Sequence, residues 1–127
     1  MVQGQRKQNW VAEITAGGHQ IISDVSPKLG GTDLGMNPHE LLESALTACT
    51  IITVQMYADR KTWPLQSMKV KVSIDKEGPE SHILREITLM GPLTDEQKAR
   101  LYEIADKCPI HKLLTGKIEV STLRIDG

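Results

Sequence analysis

The chain lacks phenylalanine altogether and has only four aromatic residues, Trp10, Tyr57, Trp63 and Tyr102. Single-stranded nucleic acids are bound largely by stacking bases on aromatic side chains, and this supply is poor. An excess of positive charge is also missing, because 15 Lys and Arg residues stand against 16 Asp and Glu residues. The net charge of −1 provides no field to attract nucleic acid or an anionic membrane. We therefore expect neither as a partner.

Cysteine is scarce as well, with two residues, Cys49 and Cys108, in a chain of 127. Two cysteines do not make the disulfide framework of a small secreted domain. The first ten residues show no apolar segment typical of a signal peptide, and the apolar stretch at 45–54 is too short and too polar to span a bilayer. The length favours one domain over residues 1–127. We expect this domain to be cytoplasmic.

Strand patterns occupy both ends and the middle of the chain. Within residues 9–24, two β-type segments flank Gly17 and Gly18, which supply the positive φ angles of a tight hairpin turn. A Gly-rich loop without an element of its own follows at residues 26–37. Alternating apolar and polar residues predict three further strands, at 67–75, 82–90 and 117–125.

A long helix is predicted in the middle of the chain. Asn37 is a capping residue and Pro38 suits the first helical position, so the helix begins there and should run to about Lys61. Its apolar residues cover most of its circumference. Such a helix should be buried on several sides, by the sheet, by a second subunit or by both.

Two shorter helices complete the pattern. Thr94 and Gln97 form a capping-box pair for a helix that ends near Cys108. Pro109 begins a short helical segment that ends at Gly116. The resulting order, β-β-α-β-β-α-β, predicts an α+β fold with a largely antiparallel sheet and a long buried central helix.

Cys49 lies near the middle of the long helix, where a free cysteine often does no more than pack. No residue on its own helix is placed to activate it. A reactive Cys49 would need polar groups from another element or another chain.

Cys108 precedes Pro109 and is expected to cap the short helix, close to Lys107, His111 and Lys112. A helix N-terminus and nearby cations lower the pKa of a thiol. Electrostatics by itself therefore favours Cys108 as the nucleophile, although a cysteine that serves only as a weak cap fits the same pattern.

Other site chemistries are weakly supported. Cys108 and His111 have the spacing of a ligand pair, but a closed zinc site would also need Cys49 and a distant histidine. No nucleophile elbow is present, and the glycines before the long helix lack the Lys-Ser/Thr ending of a phosphate loop. A dithiol remains, in which one cysteine attacks a peroxide and the other resolves the sulfenic acid.

Two segments resemble the OsmC/Ohr family, the osmotically inducible and organic-hydroperoxide-resistance proteins. GGTDLGMNPHELLESALTACTIITVQMY, residues 30–57, resembles the central helix of that family, and CPIHK, residues 108–112, resembles its second cysteine motif. The resemblance implies an OsmC-like intertwined homodimer with two active sites at the subunit interface. It implies reduction of organic hydroperoxides with no cofactor and no metal, with Cys49 peroxidatic, Cys108 resolving and an external dithiol as reductant.

The chain departs from the family where charged groups poise the thiolate. The peroxidase members have a glutamate ten residues before the first cysteine and an arginine after the hairpin glycines, positions at which this chain has His39 and His19. Glu40 follows His39 and is the remaining candidate catalytic carboxylate. A protonated histidine also favours a thiolate, so His39 and His19 are candidate poising groups.

The leading interpretation is a thiol peroxidase that uses a Cys49/Cys108 dithiol–disulfide cycle. Leu46, Ile52 and Met56 around Cys49 predict an apolar pocket, and hence organic hydroperoxides over hydrogen peroxide. The alternative is an OsmC-like dimer that binds a small ligand or senses oxidants without efficient peroxidase activity. A third is a metal-binding dimer that uses Cys49, Cys108 and His111.

Overall fold

The structure, a computed structural model, describes residues 1–126 and has the predicted α+β class. Backbone contacts divide the chain into two compact units, Met1–Ser44 and the chain from Ala45 onward. The first unit contains an antiparallel sheet of three strands in the order β1-β2-β3. Their bounds are β1 Gln3–Arg6, β2 Ala12–Ala16 and β3 His19–Ser23.

The predicted hairpin in the first unit is confirmed. Gly17 and Gly18 have φ angles of 52° and 82° between β2 and β3, as a tight turn between two twisted strands requires. Strand β1 was not predicted, because QGQR has no alternation of apolar and polar residues. It forms by backbone pairing along the free edge of β2, with Gly4 opposite Ile14.

The loop at residues 26–37 is more ordered than predicted, since it contains a short 3-10 helix at Pro27–Leu29. The buried carboxylate of Asp24 accepts hydrogen bonds from the Val25 N–H (2.7 Å), the Thr32 hydroxyl (2.7 Å) and N–H (3.1 Å), and the Leu34 N–H (3.2 Å). These bonds, led by the Thr32 hydroxyl, lower the pKa of Asp24. Asp24 thus gives the loop a single shape that apolar packing does not provide.

Helix α1, Pro38–Arg60, begins where predicted and ends one residue early. The Asn37 side chain accepts a hydrogen bond from the Glu40 N–H (2.8 Å), and the Glu40 carboxylate accepts one from the Asn37 N–H (3.0 Å). Glu40 therefore completes a reciprocal cap, which satisfies backbone groups that the first helical turn leaves open.

Within the described chain α1 is covered on one side, and the predicted cover by a second subunit stays a prediction. One stripe is buried, at Leu46, Thr50, Val54 and Ala58. Large apolar side chains elsewhere on the helix are exposed, among them Leu42, Ile51, Ile52 and Met56. By length and composition α1 is also able to cross a membrane, which corrects the estimate from the shorter apolar stretch, although core helices of soluble proteins meet the same condition.

The second unit packs its helices on a two-stranded antiparallel sheet. Strands β4, Ser67–Lys76, and β5, His82–Met90, form it. Helix α2 spans Asp95–Ala105, with the predicted Thr94–Gln97 capping box, and α3 spans Pro109–Thr115 with Cys108 at its N-cap. The buried core consists of Val54, Ala58, Leu65, Leu93, Leu101, Ile104 and Ala105.

The predicted last strand, Lys117–Ile125, is wrong, since those residues form neither helix nor strand. Ile118, Val120, Leu123 and Ile125 are exposed there, by 53% to 89%. An alternating segment becomes a strand only when its backbone groups pair with a neighbouring strand. The described chain provides no such neighbour for this segment.

Candidate active site

The structure brings together the two cysteines, which lie far apart in the sequence. Cys49 comes from the middle of α1 and Cys108 from the N-cap of α3, and both are free thiols. The first turn of α3 donates to both sulfurs, from the Ile110 N–H to Cys49 Sγ (3.5 Å) and from the His111 N–H to Cys108 Sγ (3.3 Å). Both amides belong to the group that an α-helix leaves without an internal partner. The two thiols therefore share one set of hydrogen-bond donors.

Cys49 is the more acidic of the two thiols. Burial acts to raise the pKa of Cys49, but three hydrogen bonds and the charge of Arg85 outweigh burial and bring the pKa below its ordinary value. The hydrogen bonds come from the Ile110 N–H, the Cys108 thiol and the Thr53 hydroxyl, whose oxygen is 3.9 Å from Cys49 Sγ. Thr53 lies on α1 itself, which corrects the expectation that no residue of that helix acts on Cys49. Each of these groups stabilises the thiolate more than the thiol.

Cys108 is shifted in the opposite direction, which corrects the expectation from local electrostatics. Its side chain is fully buried, and burial raises the pKa of Cys108. The His111 N–H lowers that pKa, but the hydrogen bond with Cys49 and the charge of Cys49 raise it further. The helix N-terminus acts on Cys108 as expected, and loss of solvent outweighs it.

Arg85 of β5 is the charged side chain that the sequence analysis missed. Its side chain is 11% exposed. One terminal nitrogen donates to Thr50 Oγ1 (3.1 Å) and the Ala105 carbonyl (3.2 Å), and the other contacts Asp106 Oδ1 (2.8 Å) and His111 Nδ1 (3.1 Å). Its charge lowers the pKa of both cysteines.

A sequence signal for Arg85 does exist. Strand β5 alternates so that Ile83, Arg85, Ile87 and Leu89 are half-buried, while the residues between them, 84, 86 and 88, are exposed. An arginine in phase with three apolar residues is placed on the inner face of a half-buried strand. Lys and Arg are rarely buried without a partner, so that position marks Arg85 as a candidate for a specific role.

Cys49 lines a groove of about 780 Å³. Its other lining residues are mainly apolar, namely Ala45, Ile52, Met56, Ile104, Pro109 and Ile110, with Thr53, Tyr57, Arg60 and Lys107 as the polar members. The predicted apolar pocket is thus confirmed for Ile52 and Met56. It is wrong for Leu46, which lines a separate cavity of about 250 Å³ with Arg85 and His111.

The sequence matches the family of OsmC-like proteins over residues 31–123. This chain belongs to the OsmC-like family. No curated protein matches it. The family assignment agrees with the resemblance found in its two cysteine segments.

Solved structures share the OsmC-like fold at low sequence identity. An OsmC-like protein from Mycoplasma pneumoniae matches with a TM-score of 0.74 and 21% identity, covering 91% of this chain and 86% of that one. The organic hydroperoxide resistance protein OsmC from Legionella pneumophila matches at 0.66 and 20%, covering 91% and 88%. An organic hydroperoxide resistance protein from Elizabethkingia anophelis matches at 0.68 and 19%, covering 94% and 91%.

The remaining candidate site residues of this OsmC-like protein belong to its first unit. Glu40 forms the α1 cap described above, His39 is exposed in the first turn of α1, and His19 is exposed at the start of β3, opposite Ala16. Within the second unit, Arg85 is a cation whose charge acts on both thiols. A role of Glu40, His39 or His19 in catalysis stays a prediction.

Metal binding has little support in this structure. Across residues 1–126, no group of three or more His, Cys, Asp or Glu side chains is arranged to hold a metal ion. Cys49, Cys108 and His111 of one chain therefore form no such group, and a metal site in a dimer stays a hypothesis.

Proposed function

We propose that this OsmC-like protein is a cytoplasmic thiol peroxidase that reduces organic hydroperoxides. The observation that carries the proposal is the pairing of an acidic thiol on an apolar groove, Cys49, with a fully buried thiol, Cys108, at the same helix terminus. A two-cysteine thiol peroxidase needs one thiolate that an oxidant reaches and a second thiol that reacts with the resulting sulfenic acid. Family membership and neighbours named for organic hydroperoxide resistance support the same activity.

The first step oxidises Cys49. Its thiolate attacks the distal oxygen of the hydroperoxide ROOH, the O–O bond breaks, and the products are Cys49 sulfenic acid and the alkoxide, which takes a proton and leaves as ROH. The N–H of Ile110 stabilises the attacking thiolate. Since the groove lining is mainly apolar, we expect an alkyl or aryl R group to bind there.

The second step closes a disulfide and releases water. The sulfur of Cys108 displaces the hydroxyl from the Cys49 sulfenic acid, and the thiol proton leaves with that hydroxyl as water. An external dithiol then reduces the disulfide by thiol–disulfide exchange and becomes oxidised itself. Because Cys108 is fully buried and Cys49 lines the groove, we expect the reductant to attack Cys49.

A homodimer is part of the proposal. The exposed apolar residues of α1 and the unpaired alternating segment at 117–125 are surfaces that a second copy of the chain would cover. We expect sedimentation at micromolar concentration to give a species of twice the 14.1 kDa chain mass. A single 14.1 kDa species at every concentration would contradict the dimer and leave the thiol chemistry to be tested separately.

The peroxidase proposal is tested by counting free thiols after oxidation. With a slight excess of cumene hydroperoxide, we expect both thiols to disappear within seconds and to return after addition of a dithiol. Hydrogen peroxide at the same concentration should react at least about tenfold more slowly, because it gains nothing from an apolar groove. Equal rates would contradict the substrate class. If both thiols persist in folded protein, the peroxidase proposal fails and the small-ligand alternative is tested by the rise in melting temperature with apolar ligands.

A further inference from the structure

Arg85 places a positive charge on the inner face of the sheet, a position that does not need a charge for stability. Its guanidinium lies on the inner face of β5, in phase with Ile83 and Ile87, and is 11% exposed. Withdrawing a charge from water costs free energy that an ion pair seldom recovers in full, so an apolar side chain of similar size often serves a core equally well. The positive charge at this position therefore suggests a use beyond packing.

The contacts of Arg85 all end on residues that lie within three positions of Cys49 or Cys108 in the sequence. Thr50 follows Cys49 on α1, and its buried hydroxyl both donates to the Leu46 carbonyl (2.7 Å) and accepts from Arg85. On the other side, the Ala105 carbonyl accepts from Arg85 and from the backbone N–H of Cys108 (3.4 Å). One guanidinium thus joins the turn that carries Cys49 to the turn that carries Cys108.

His111 links the same guanidinium to the helix cap. Its backbone N–H donates to Cys108 Sγ, and its ring Nδ1 is 3.1 Å from an Arg85 nitrogen. Because arginine has no acceptor, this contact is a hydrogen bond when Nδ1 carries no proton, and Nδ1 also lies 3.9 Å from Asp106 Oδ1. The ring orientation and the position of the His111 N–H are therefore both tied to Arg85.

We propose that Arg85 is a positioning residue for the thiol pair, which holds the Cys49 and Cys108 turns in register and supplies the positive charge that favours the Cys49 thiolate. Asp106, paired with it at 2.8 Å, partly offsets that charge. The proposal rests on the proposed function for its catalytic meaning. The placement of the charge beside the thiols does not depend on any substrate.

The charges around Cys49 set the direction of each test. In the second unit, the other titratable or charged groups at the site are Cys108, His111 and Asp106, together with Tyr57, Arg60 and Lys107 along the groove. Removing Arg85 should raise the pKa of Cys49, because the thiolate loses a favourable charge. Neutralising Asp106 should lower the pKa of Cys49, because the charge of Arg85 is then no longer offset. A merely structural role would not shift the two variants in opposite directions.

The experiment measures the rate at which iodoacetamide alkylates Cys49 as a function of pH, with the modified peptide identified by mass spectrometry. We expect Arg85→Met to move the half-maximal pH upward, and alkylation below both pKa values to become slower because less Cys49 is thiolate. Asp106→Asn should move the half-maximal pH downward. Arg85→Lys should restore most of the pH profile, because an ammonium keeps the positive charge although it does not reproduce the planar fork of contacts.

Lys71→Met is the matched control. Lys71 is an exposed cation on β4, paired with Glu86 beside Arg85, and its removal deletes one positive charge from the exposed face of the sheet. We expect it to leave the alkylation profile unchanged. Shifts of the same sign in Arg85→Met and Asp106→Asn, or a profile that neither variant alters, would overturn the proposal.

The role of Arg85 remains testable if one variant misfolds or if the protein is not a peroxidase. If Arg85→Met does not fold, the Asp106→Asn variant, whose side chain is 68% exposed in the parent, still reports the sign of the charge effect. Alkylation requires no hydroperoxide. A protein that is inert to cumene hydroperoxide but shows the opposite shifts would refute the proposed peroxidase function and retain the role of Arg85 at the thiols.

Discussion

Replacing Cys49 by serine is expected to abolish hydroperoxide reduction, with a loss of more than about 1,000-fold in rate. A serine hydroxyl is not ionised at neutral pH, so the groups that favour a thiolate at this position have no comparable nucleophile to act on. Those groups are the Ile110 N–H, the Thr53 hydroxyl and the charge of Arg85. The measurement is consumption of cumene hydroperoxide with a dithiol in excess, and Cys108 should keep its free thiol throughout.

Cys108→Ser is the matched variant for Cys49→Ser. Without added dithiol, we expect it to reduce about one equivalent of hydroperoxide per chain at close to the normal rate, since Cys49 and its groove are intact. The Cys49 sulfenic acid should then persist and be trapped by dimedone, because the buried sulfur that would displace its hydroxyl is gone. Normal peroxide consumption by Cys49→Ser, with loss of the Cys108 thiol, would reverse the two roles.

Leu101→Ala is expected to destabilise the folded chain by about 3 kcal/mol, within the usual range of about 2 to 5 kcal/mol for such a change in a core. Leu101 is fully buried in the cluster that joins α1, α2 and the sheet. Truncation loses the transfer free energy of its methyl groups and leaves a cavity that the surrounding side chains fill only in part. Urea unfolding followed by circular dichroism measures the change, with the protein concentration fixed.

Leu113→Ala provides the control, since it makes the same chemical change at a side chain that is 60% exposed on α3. We expect it to alter the free energy of unfolding by no more than about 0.5 kcal/mol. A loss at Leu101 that is no larger than the loss at Leu113 would show that the core is not organised around α2 as described.

The sequence by itself determined the features that depend on neighbouring residues. The Gly17–Gly18 turn, the Asn37–Pro38 start of α1 and the Thr94–Gln97 capping box were all predictable, because each is a local match between side-chain chemistry and backbone geometry. Strand β5 has the predicted bounds for the same reason, since alternation is visible in any strand with one covered face.

The sequence also carried the family, through its two cysteine segments, but it left open whether Cys49 and Cys108 lie close together. It also left undetermined which thiol is the more acidic. The charges near Cys108 along the chain suggested Cys108, whereas the fold buries that sulfur completely and leaves Cys49 on the groove. Desolvation depends on all the elements packed around an atom, so the sequence neighbours of a cysteine do not reveal it.

Only the tertiary structure revealed that Arg85 acts on the thiols, because it comes from a strand that the cysteine motifs do not include. The sequence suggested His19 and His39, whose role stays a prediction. At residues 117–125 the sequence predicted a strand that the structure does not contain, because alternation is not enough without a neighbouring strand. Charge and pairing act through space, between residues that the fold brings together from distant parts of the chain.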